Sequence, residues 1–99
     1  MNQGHQLVVF TLDEQRYAVP LFTVARIVRL VEITPVPHTP EIVLGVIDVQ
    51  GWIMPIVNLR RRFRLPERKL GPSDQLLLVH TARRPVALVI DIAGCREDL

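Results

Sequence analysis

The sequence has few of the residue types from which metal and disulfide sites are built. It contains one cysteine and three histidines, and Cys95, His5, His38 and His80 lie far apart along the chain. Structural zinc sites take their ligands at short, regular spacings, so we predict no metal site. A lone cysteine cannot close an internal disulfide, and Cys95 is interpreted as a small apolar residue.

Motifs of catalytic and phosphate-binding sites are absent as well. Ser73 and Asp74 lack the G-x-S-x-G elbow of a hydrolase, and no glycine-rich phosphate loop occurs. Asp48 and Asp91 are single carboxylates on predicted strands, without the second acidic group of an acid and base pair. We therefore predict a protein that is not an enzyme and that uses no cofactor.

Long apolar runs are also missing. None reaches the roughly 18 residues of a helix that crosses a bilayer, and the stretch from Met1 to Gln6 lacks the basic and apolar regions of a signal peptide. A single cysteine without an export signal is typical of the reducing cytoplasm. We predict a cytoplasmic protein that does not insert into a membrane.

Aliphatic residues dominate what is present. Hydrophobic residues make up 48% of the 99 residues, whereas aromatic residues make up only 5%. This hydrophobicity excludes a disordered chain, and the excess of Val, Ile and Leu favours strands around a core of branched side chains. The length suffices for one modest domain and not for two.

Short strand patterns follow one another, with turn residues between them. They predict three hairpins: Gln6–Leu12 with Arg16–Val19, Val46–Val49 with Trp52–Val57 across Gln50 and Gly51, and Leu76–Val79 with Val86–Ile92 across Arg83, Arg84 and Pro85. Leu30–Val36 is rich in β-branched residues, but its proline excludes a central strand along the full length. The close spacing of strands favours a mainly β fold, a small Greek-key or SH3-like barrel, over a βαβ sheet.

Short helices are predicted between the strands. Leu21, Val24, Ala25 and Val28 have the i, i+3, i+4, i+7 spacing of an amphipathic helix that opens at Pro20. The remaining segments are interpreted as a helical turn capped by Thr39, a helical turn over Leu59–Phe63, a loop over Pro66–Pro72 and a polar end after Asp91.

Basic residues are concentrated in one stretch of the chain. The segment from residue 60 to residue 69 contains six Arg and Lys residues: Arg60, Arg61, Arg62, Arg64, Arg68 and Lys69. Such a run forms a solvated loop face, a protein-contact patch or a nucleic-acid site. Phe63 is the only aromatic residue in the run, so stacking platforms for bases are absent and nucleic acid is disfavoured.

Trp52 follows the glycine of the central hairpin and has two interpretations. It caps the core of the barrel, or it stands exposed as an anchor for a partner, because Trp is enriched at interface hot spots. Side chains alternate along a strand, so Ile53 and Met54 are expected on opposite faces, with one of them on the face of Trp52.

The central hairpin and its surroundings resemble the CheW family of chemotaxis coupling proteins. The family signature reads approximately T-P-x-x-I-x-G-V-x-N-L-R-G-x-I-x-P-[IV]-[VI]-[DN]-L, and the segment Thr39–Leu59 follows it. The opening Val8–Val19 segment looks like the family's first hairpin, and Leu76–Val79 and Val86–Asp91 look like two later strands. Leu21, Val24 and Ile27 fall where the family has its first short helix.

The resemblance implies a fold of two small SH3-like β-barrel lobes. On this alignment the chain is a single CheW-like domain over residues 1–99, with a first lobe over about residues 1–65 and a partial second lobe over about residues 66–99. Family members continue further, so the alignment predicts unpaired strand edges. It leaves three interpretations open: a truncated chain, a degenerate paralogue or a homo-oligomer formed by strand exchange.

The resemblance also implies an adaptor that joins a CheA-type histidine kinase to the cytoplasmic tips of chemoreceptors. The partner-contact residues that it predicts are Leu21, Val24, Arg26, Ile27, Gln50 and Trp52. The basic residues Arg60, Arg61 and Arg62 are added as a second contact patch. The alternative function is a small basic β-barrel that binds nucleic acid through Arg60 to Arg64.

The chain departs from the family pattern at the central turn, where Asn-Leu-Arg-Gly is replaced by Asp48-Val49-Gln50-Gly51, and at residue 26. The usual acidic residue of Val-x-Glu-Ile is Arg26 here, and the usual arginine of Asn-Leu-Arg-Gly is Gln50. A carboxylate facing an arginine forms an ion pair, so this chain is expected to place Arg26 against Gln50 instead. The change puts the specificity for the partner in question.

Overall fold

The computed structural model describes residues 6–98, and for residues 94–98 it describes the backbone alone. His5 and the side chain of Cys95 therefore lie outside the described residues. The elements are β1 Gln6–Leu12, β2 Gln15–Pro20, a 3-10 turn Leu21–Thr23, β3 Val24–Arg29, β4 Val43–Val49, β5 Trp52–Asn58, α1 Leu59–Arg62, β6 Gln75–His80, β7 Pro85–Ile90 and β8 Ile92–Asp98. The mainly β, SH3-like prediction is confirmed. No helix in the described part of the chain is long and apolar enough to cross a bilayer.

The strands form two sheets. Three strands pair in the order β2-β1-β8, and five pair in the order β3-β6-β7-β5-β4. All neighbours are antiparallel except β5 and β7, which run parallel. The larger sheet thus joins strands from both sides of residue 65, and the lobe boundary at that residue stays a prediction.

The predicted hairpins are confirmed, and so is the helical turn after β5. Val49 pairs with Trp52 across the turn of the central hairpin, and Leu77 pairs with Leu88 in the last one. The helical turn α1 begins after Asn58, whose side-chain Oδ1 accepts a hydrogen bond from the backbone amide of Arg60 at 3.0 Å. This cap satisfies one of the free amides at the start of the helix.

The helix predicted from Leu21 to Val28 is wrong. Only Leu21–Thr23 is helical, as a 3-10 turn, and the chain then continues as the edge strand β3. Ile27 and Val28 lie opposite Leu77 and Leu76 of β6. The apolar spacing fits both periods over so short a segment, and hydrogen bonding to β6 decides the outcome.

The region between β3 and β4 contains little regular structure. In the segment Leu30–Val36, where the proline excludes a central strand along the full length, only Thr34 forms a bridge, with Val46 of β4. The helical turn at Thr39 is also wrong, since the Thr39 hydroxyl donates back to the carbonyl of Val36 at 3.3 Å and the segment forms turns. The prolines remove the amides that a regular strand or helix needs here.

The polar end predicted after Asp91 is a strand instead. The Asp91 amide donates to the carbonyl of Thr11 at 3.0 Å, and β8 then runs antiparallel to β1. Ala93 lies opposite Phe10 in this pairing. The local sequence of β8 gives little strand signal, so pairing with the free edge of β1 determines the conformation of β8.

Two hydrophobic cores share the strand β6. Leu77 and Val79 face the first core, which also holds Val8, Phe10 and Leu12 of β1. Leu76 and Leu78 face the second core, within the larger sheet. Because successive side chains of a strand point to opposite faces, a strand that is apolar at four positions in a row is buried on both sides.

Candidate functional site

An apolar groove of about 310 Å³ opens at one end of the five-stranded sheet. Strands at both edges of the sheet contribute to it, together with strands of its centre. The lining residues are Ala25, Arg26, Val49, Gln50, Trp52, Met54, Leu78, His80 and Pro85. The groove therefore brings together three of the predicted contact residues, Arg26, Gln50 and Trp52.

The turn of the central hairpin forms one rim of the groove. Gln50 and Gly51 both adopt left-handed backbone conformations, with φ of 52° and 88°. Two successive positive φ values match the right-handed twist of the flanking strands. The Asp48 carboxylate accepts a hydrogen bond from the Gly51 amide at 2.8 Å and fixes the turn.

Arg26 reaches this rim from the opposite edge of the sheet. The register of β3 against β6 shifts between Val24 and Arg26, which leaves a bulge at Ala25. Bulges redirect neighbouring side chains. Arg26 Nη1 donates to Gln50 Oε1 at 3.0 Å, so the expected contact between these two residues is confirmed.

Trp52 lies exposed at the mouth of the groove. Its side chain is 67% exposed, and that of the next residue, Ile53, is 62% exposed, whereas Met54 is 5% exposed. Ile53 and Met54 thus differ in burial as the alternation predicts, and Met54 shares the groove with Trp52. Of the two interpretations of Trp52, the exposed side chain is observed.

The other predicted contact residues of this region lie elsewhere. Leu21 and Val24 are partly buried and pack against the first core. Ile27 is 43% exposed on β3, but it does not line the groove. Ile27 thus presents apolar surface on β3 outside the groove, whereas the side chains of Leu21 and Val24 contribute mainly to packing.

The basic run is not a uniform face of the protein. Arg60 was predicted as a contact residue, but it is only 2% exposed, so its guanidinium is held inside the protein and offers little surface to a partner. Arg61 donates from Nε to Glu67 Oε1 and from Nη1 to the carbonyl of Glu41, both at 2.8 Å. Arg62 is exposed, as predicted for a contact residue.

Arg60 belongs to a network of two arginines and three aspartates. Its Nη2 lies 2.7 Å from Asp13 Oδ1 and 2.7 Å from Asp91 Oδ1. Arg68 Nη2 also lies 2.7 Å from Asp91 Oδ1, and Arg68 forms a second ion pair with the buried Asp74. Asp91 therefore bridges the two arginines, whereas the sequence predicts an isolated carboxylate on a strand.

The network shifts the pKa values of its members. Burial by itself would raise the pKa of Asp91, but hydrogen bonds from Arg68, from the Asp13 amide and from Arg60 outweigh it and hold that pKa below its usual value. Burial likewise opposes the charge on Arg60, but its two aspartate partners raise its pKa overall. Both groups are thus stabilised in their charged forms.

Neither the network nor most of the groove is visible in the sequence. Met54, Leu78, His80 and Pro85 come from three strands, and no spacing rule connects them. Asp13, Asp74 and Asp91 are separated by long stretches of chain. Among the described residues, no group of three or more His, Cys, Asp and Glu side chains is arranged to hold a metal ion.

Comparison with known proteins identifies a family and several relatives of this chain. Residues 6–94 match the CheW-like domain family. The chain is 32% identical to the chemotaxis protein CheW of Treponema pallidum, an alignment that covers 99% of this chain and 63% of that protein. It is 29% identical to the protein FrzA of Myxococcus xanthus, with 89% and 56% covered. The chain thus spans between about half and two thirds of the length of these relatives.

A solved structure gives the same result. The crystal structure of the scaffolding protein TtCheW from Thermoanaerobacter tengcongensis superposes with a TM-score of 0.88 at 29% identity, and 97% of this chain and 66% of that chain are covered. The resemblance inferred from the Thr39–Leu59 motif is confirmed. Because the family match extends over most of its length, the chain belongs to the CheW-like domain family.

Proposed function

We propose that this chain is a coupling adaptor of a bacterial chemosensory system. It joins the cytoplasmic tips of chemoreceptors to a CheA-type histidine kinase, and it works in the cytoplasm without catalysing a reaction. The observation that carries the proposal is the likeness of nearly the whole chain to a scaffolding protein, at a TM-score of 0.88. Membership of a family of non-catalytic scaffolds also confirms the prediction that the chain is not an enzyme.

The groove is the surface that suits such a role best. A large exposed aromatic side chain beside an apolar cleft is typical of protein interfaces, where Trp supplies much contact area. Trp52 has this position, and Arg26 and Gln50 add polar groups at the rim. We propose these three residues as partner contacts. Ile27 and Arg62 are exposed outside the groove, and we propose them as additional contacts.

The nucleic-acid alternative loses two of the four arginines on which it depended. Arg60 is buried in the aspartate network, and Arg61 is paired with Glu67. Contacts to phosphates require exposed cations, and the run from Arg60 to Arg64 keeps only Arg62 and Arg64 for that purpose. We therefore propose the adaptor function and not the nucleic-acid function.

The adaptor function is tested by binding to purified partners. The full-length protein is titrated with the regulatory domain of the CheA-type kinase from its own genome and with a receptor-tip fragment, by isothermal titration calorimetry. We expect binding to both, and Trp52→Ala is expected to weaken at least one of them by tenfold or more, as for a hot-spot residue.

A matched variant and a salt series complete the test. Lys69→Ala changes an exposed loop residue that does not line the groove, and it should bind like the original protein. Binding to neither partner, together with binding to DNA or RNA that weakens steeply with salt, would contradict the proposal, because such a slope reflects release of counterions from phosphates.

A further inference from the structure

We propose that the groove selects a partner segment that carries aliphatic side chains next to a carboxylate, and that Arg26 is the residue that selects the charge. This inference rests on the proposed function, in which the groove contacts a protein partner. It adds the chemistry of the segment that the groove accepts.

The first observation is the charge on Arg26. The guanidinium of Arg26 donates a hydrogen bond to the neutral amide oxygen of Gln50. Among the described residues, no carboxylate forms an ion pair with Arg26. A guanidinium has five N–H donors in a planar fork, which fits a carboxylate in a bidentate manner. Most of the donors of Arg26 are therefore available to an incoming acidic group.

The second observation is the absence of acidic side chains from the groove wall. Apart from Arg26, its polar lining consists of Gln50 and His80 among the described residues. Asp48 is the carboxylate that directly precedes the lining residue Val49 in sequence. It accepts a hydrogen bond from the Gly51 amide and thereby fixes the turn. Arg83 and Arg84 are exposed in the turn that leads into Pro85, so they add positive charge near the same rim.

The third observation is the apolar character of the remaining wall. Ala25, Val49, Met54 and Leu78 line the groove, and Trp52 covers its mouth. Polarizable methionine and exposed tryptophan beside aliphatic side chains fit the apolar face of an amphipathic segment. Since the wall has low polarity, an ion pair at its rim is screened less than one on an open surface.

These three observations together specify the occupant. An aliphatic side chain enters between Trp52 and Met54, and a carboxylate of the same segment binds Arg26 at the rim. A segment with a cation in place of the carboxylate meets Arg26 directly and is rejected by like-charge repulsion. A neutral segment keeps the apolar contact and loses only the charge-assisted hydrogen bonds.

The test uses three synthetic helical peptides and the full-length protein. The peptides share Leu at positions i, i+3, i+4 and i+7 and differ at one flanking position, which is Glu, Gln or Lys. Trp52 is the only tryptophan of the chain, so a blue shift of its emission reports an occupant of the groove, and fluorescence anisotropy of labelled peptide gives the affinity.

We expect the Glu peptide to bind about tenfold more tightly than the Gln peptide, and the Lys peptide to bind more weakly still. Arg26→Gln should remove this discrimination and retain the apolar binding. Arg26→Glu should reverse the order of the Glu and Lys peptides. Arg29→Glu, which makes the same change of charge on the same strand away from the groove, should preserve the original order.

Other results overturn the inference. It fails if the three peptides bind equally, if none shifts the emission of Trp52, or if Arg29→Glu acts like Arg26→Glu. It also fails if the emission shifts with protein concentration alone, because a second copy of the chain then occupies the groove. Calorimetry with the kinase domain and receptor tip separates the two proposals: binding there without charge selection keeps the adaptor function, and charge selection without such binding keeps only the inference.

Discussion

Arg60 links three parts of the chain that are distant in sequence. It lies on the helical turn α1, while its partners Asp13 and Asp91 lie in the turn after β1 and at the bend between β7 and β8. The first core lies beside these elements, since Leu59 and Ile90 both belong to it. Arg60 thus acts as a polar cross-link at the edge of an apolar core.

Removal of this cross-link is expected to destabilise the protein. Arg60→Met leaves Asp13 and Asp91 without their shared partner, which should lower the free energy of unfolding by about 3 kcal/mol. Chemical denaturation measures this value. Arg62→Met is the control, because Arg62 is exposed and its replacement should change stability by less than about 0.5 kcal/mol. Equal effects of the two variants would contradict the role of Arg60.

Asp91 should make stability depend on pH in the acid range. Its pKa is lower in the folded protein than its usual value, so folding favours the ionised form. The stabilisation is present above the unfolded pKa of about 4, and it is lost as the pH falls through the lower folded pKa. Urea denaturation at a series of pH values should show this fall for the original protein and a flatter curve for Asp91→Asn. Identical slopes would refute the assignment.

Individual contacts of this kind follow from sequence only where a motif specifies them. The contact between Arg26 and Gln50 was predictable because two family motif positions face each other. The aspartates around Arg60 were not, since a charge run looks equally hydrophilic whether its members are solvated or paired inside the fold.

At the level of elements, the hairpin of β4 and β5 depends on two glycines, one of them in the turn that forms a rim of the groove. Gly51 has a φ of 88°, and a Cβ placed on it would meet no atom within 4 Å. Gly45 differs, because a Cβ there would lie 2.3 Å from the carbonyl oxygen of Thr34. One glycine is thus required by its conformation and the other mainly by close approach of the backbone.

A series of alanine variants distinguishes these requirements. Gly51→Ala should cost about 1 kcal/mol from left-handed strain alone, whereas Gly45→Ala should cost more because the Thr34 segment must move. Gly71→Ala is the control, since it has open space around it and no positive φ in this structure. Thermal unfolding of the three variants provides the comparison. A neutral Gly45→Ala would show that the Thr34 segment moves freely.

Hairpins were predicted correctly because their signals are local. Alternating apolar residues on either side of Gln50 and Gly51 determine the turn and the register together. The strands β3 and β8 were missed since their partners, β6 and β1, are distant in sequence. A short edge strand takes much of its conformation from the neighbour to which it hydrogen-bonds.

At the level of the whole molecule, β6 couples the two cores. Its residues alternate between them, with Leu77 in the first core and Leu78 in the second. Damage to one core therefore loosens a wall of the other. We expect the described fold to unfold as one cooperative unit.

Leucine-to-alanine variants test this coupling. Leu77→Ala should cost between about 2 and 5 kcal/mol through the cavity that it leaves in the first core. If the cores unfold together, the emission of Trp52, at the groove beside the second core, should report the same shifted midpoint as far-UV circular dichroism. Leu78→Ala, in the second core, should shift both probes in the same way. Separate midpoints for the two probes would show that the cores unfold independently.

The sequence by itself determined the mainly β class, the three hairpins, the family and the contact between Arg26 and Gln50, because each depends on local pattern or on motif positions. Tertiary structure decided the edge strands, the double burial of β6, the aspartate network around Arg60 and the assembly of the groove. These features join segments that are far apart along the chain. Their free energy comes from burial and pairing that exist only once the sheets have formed.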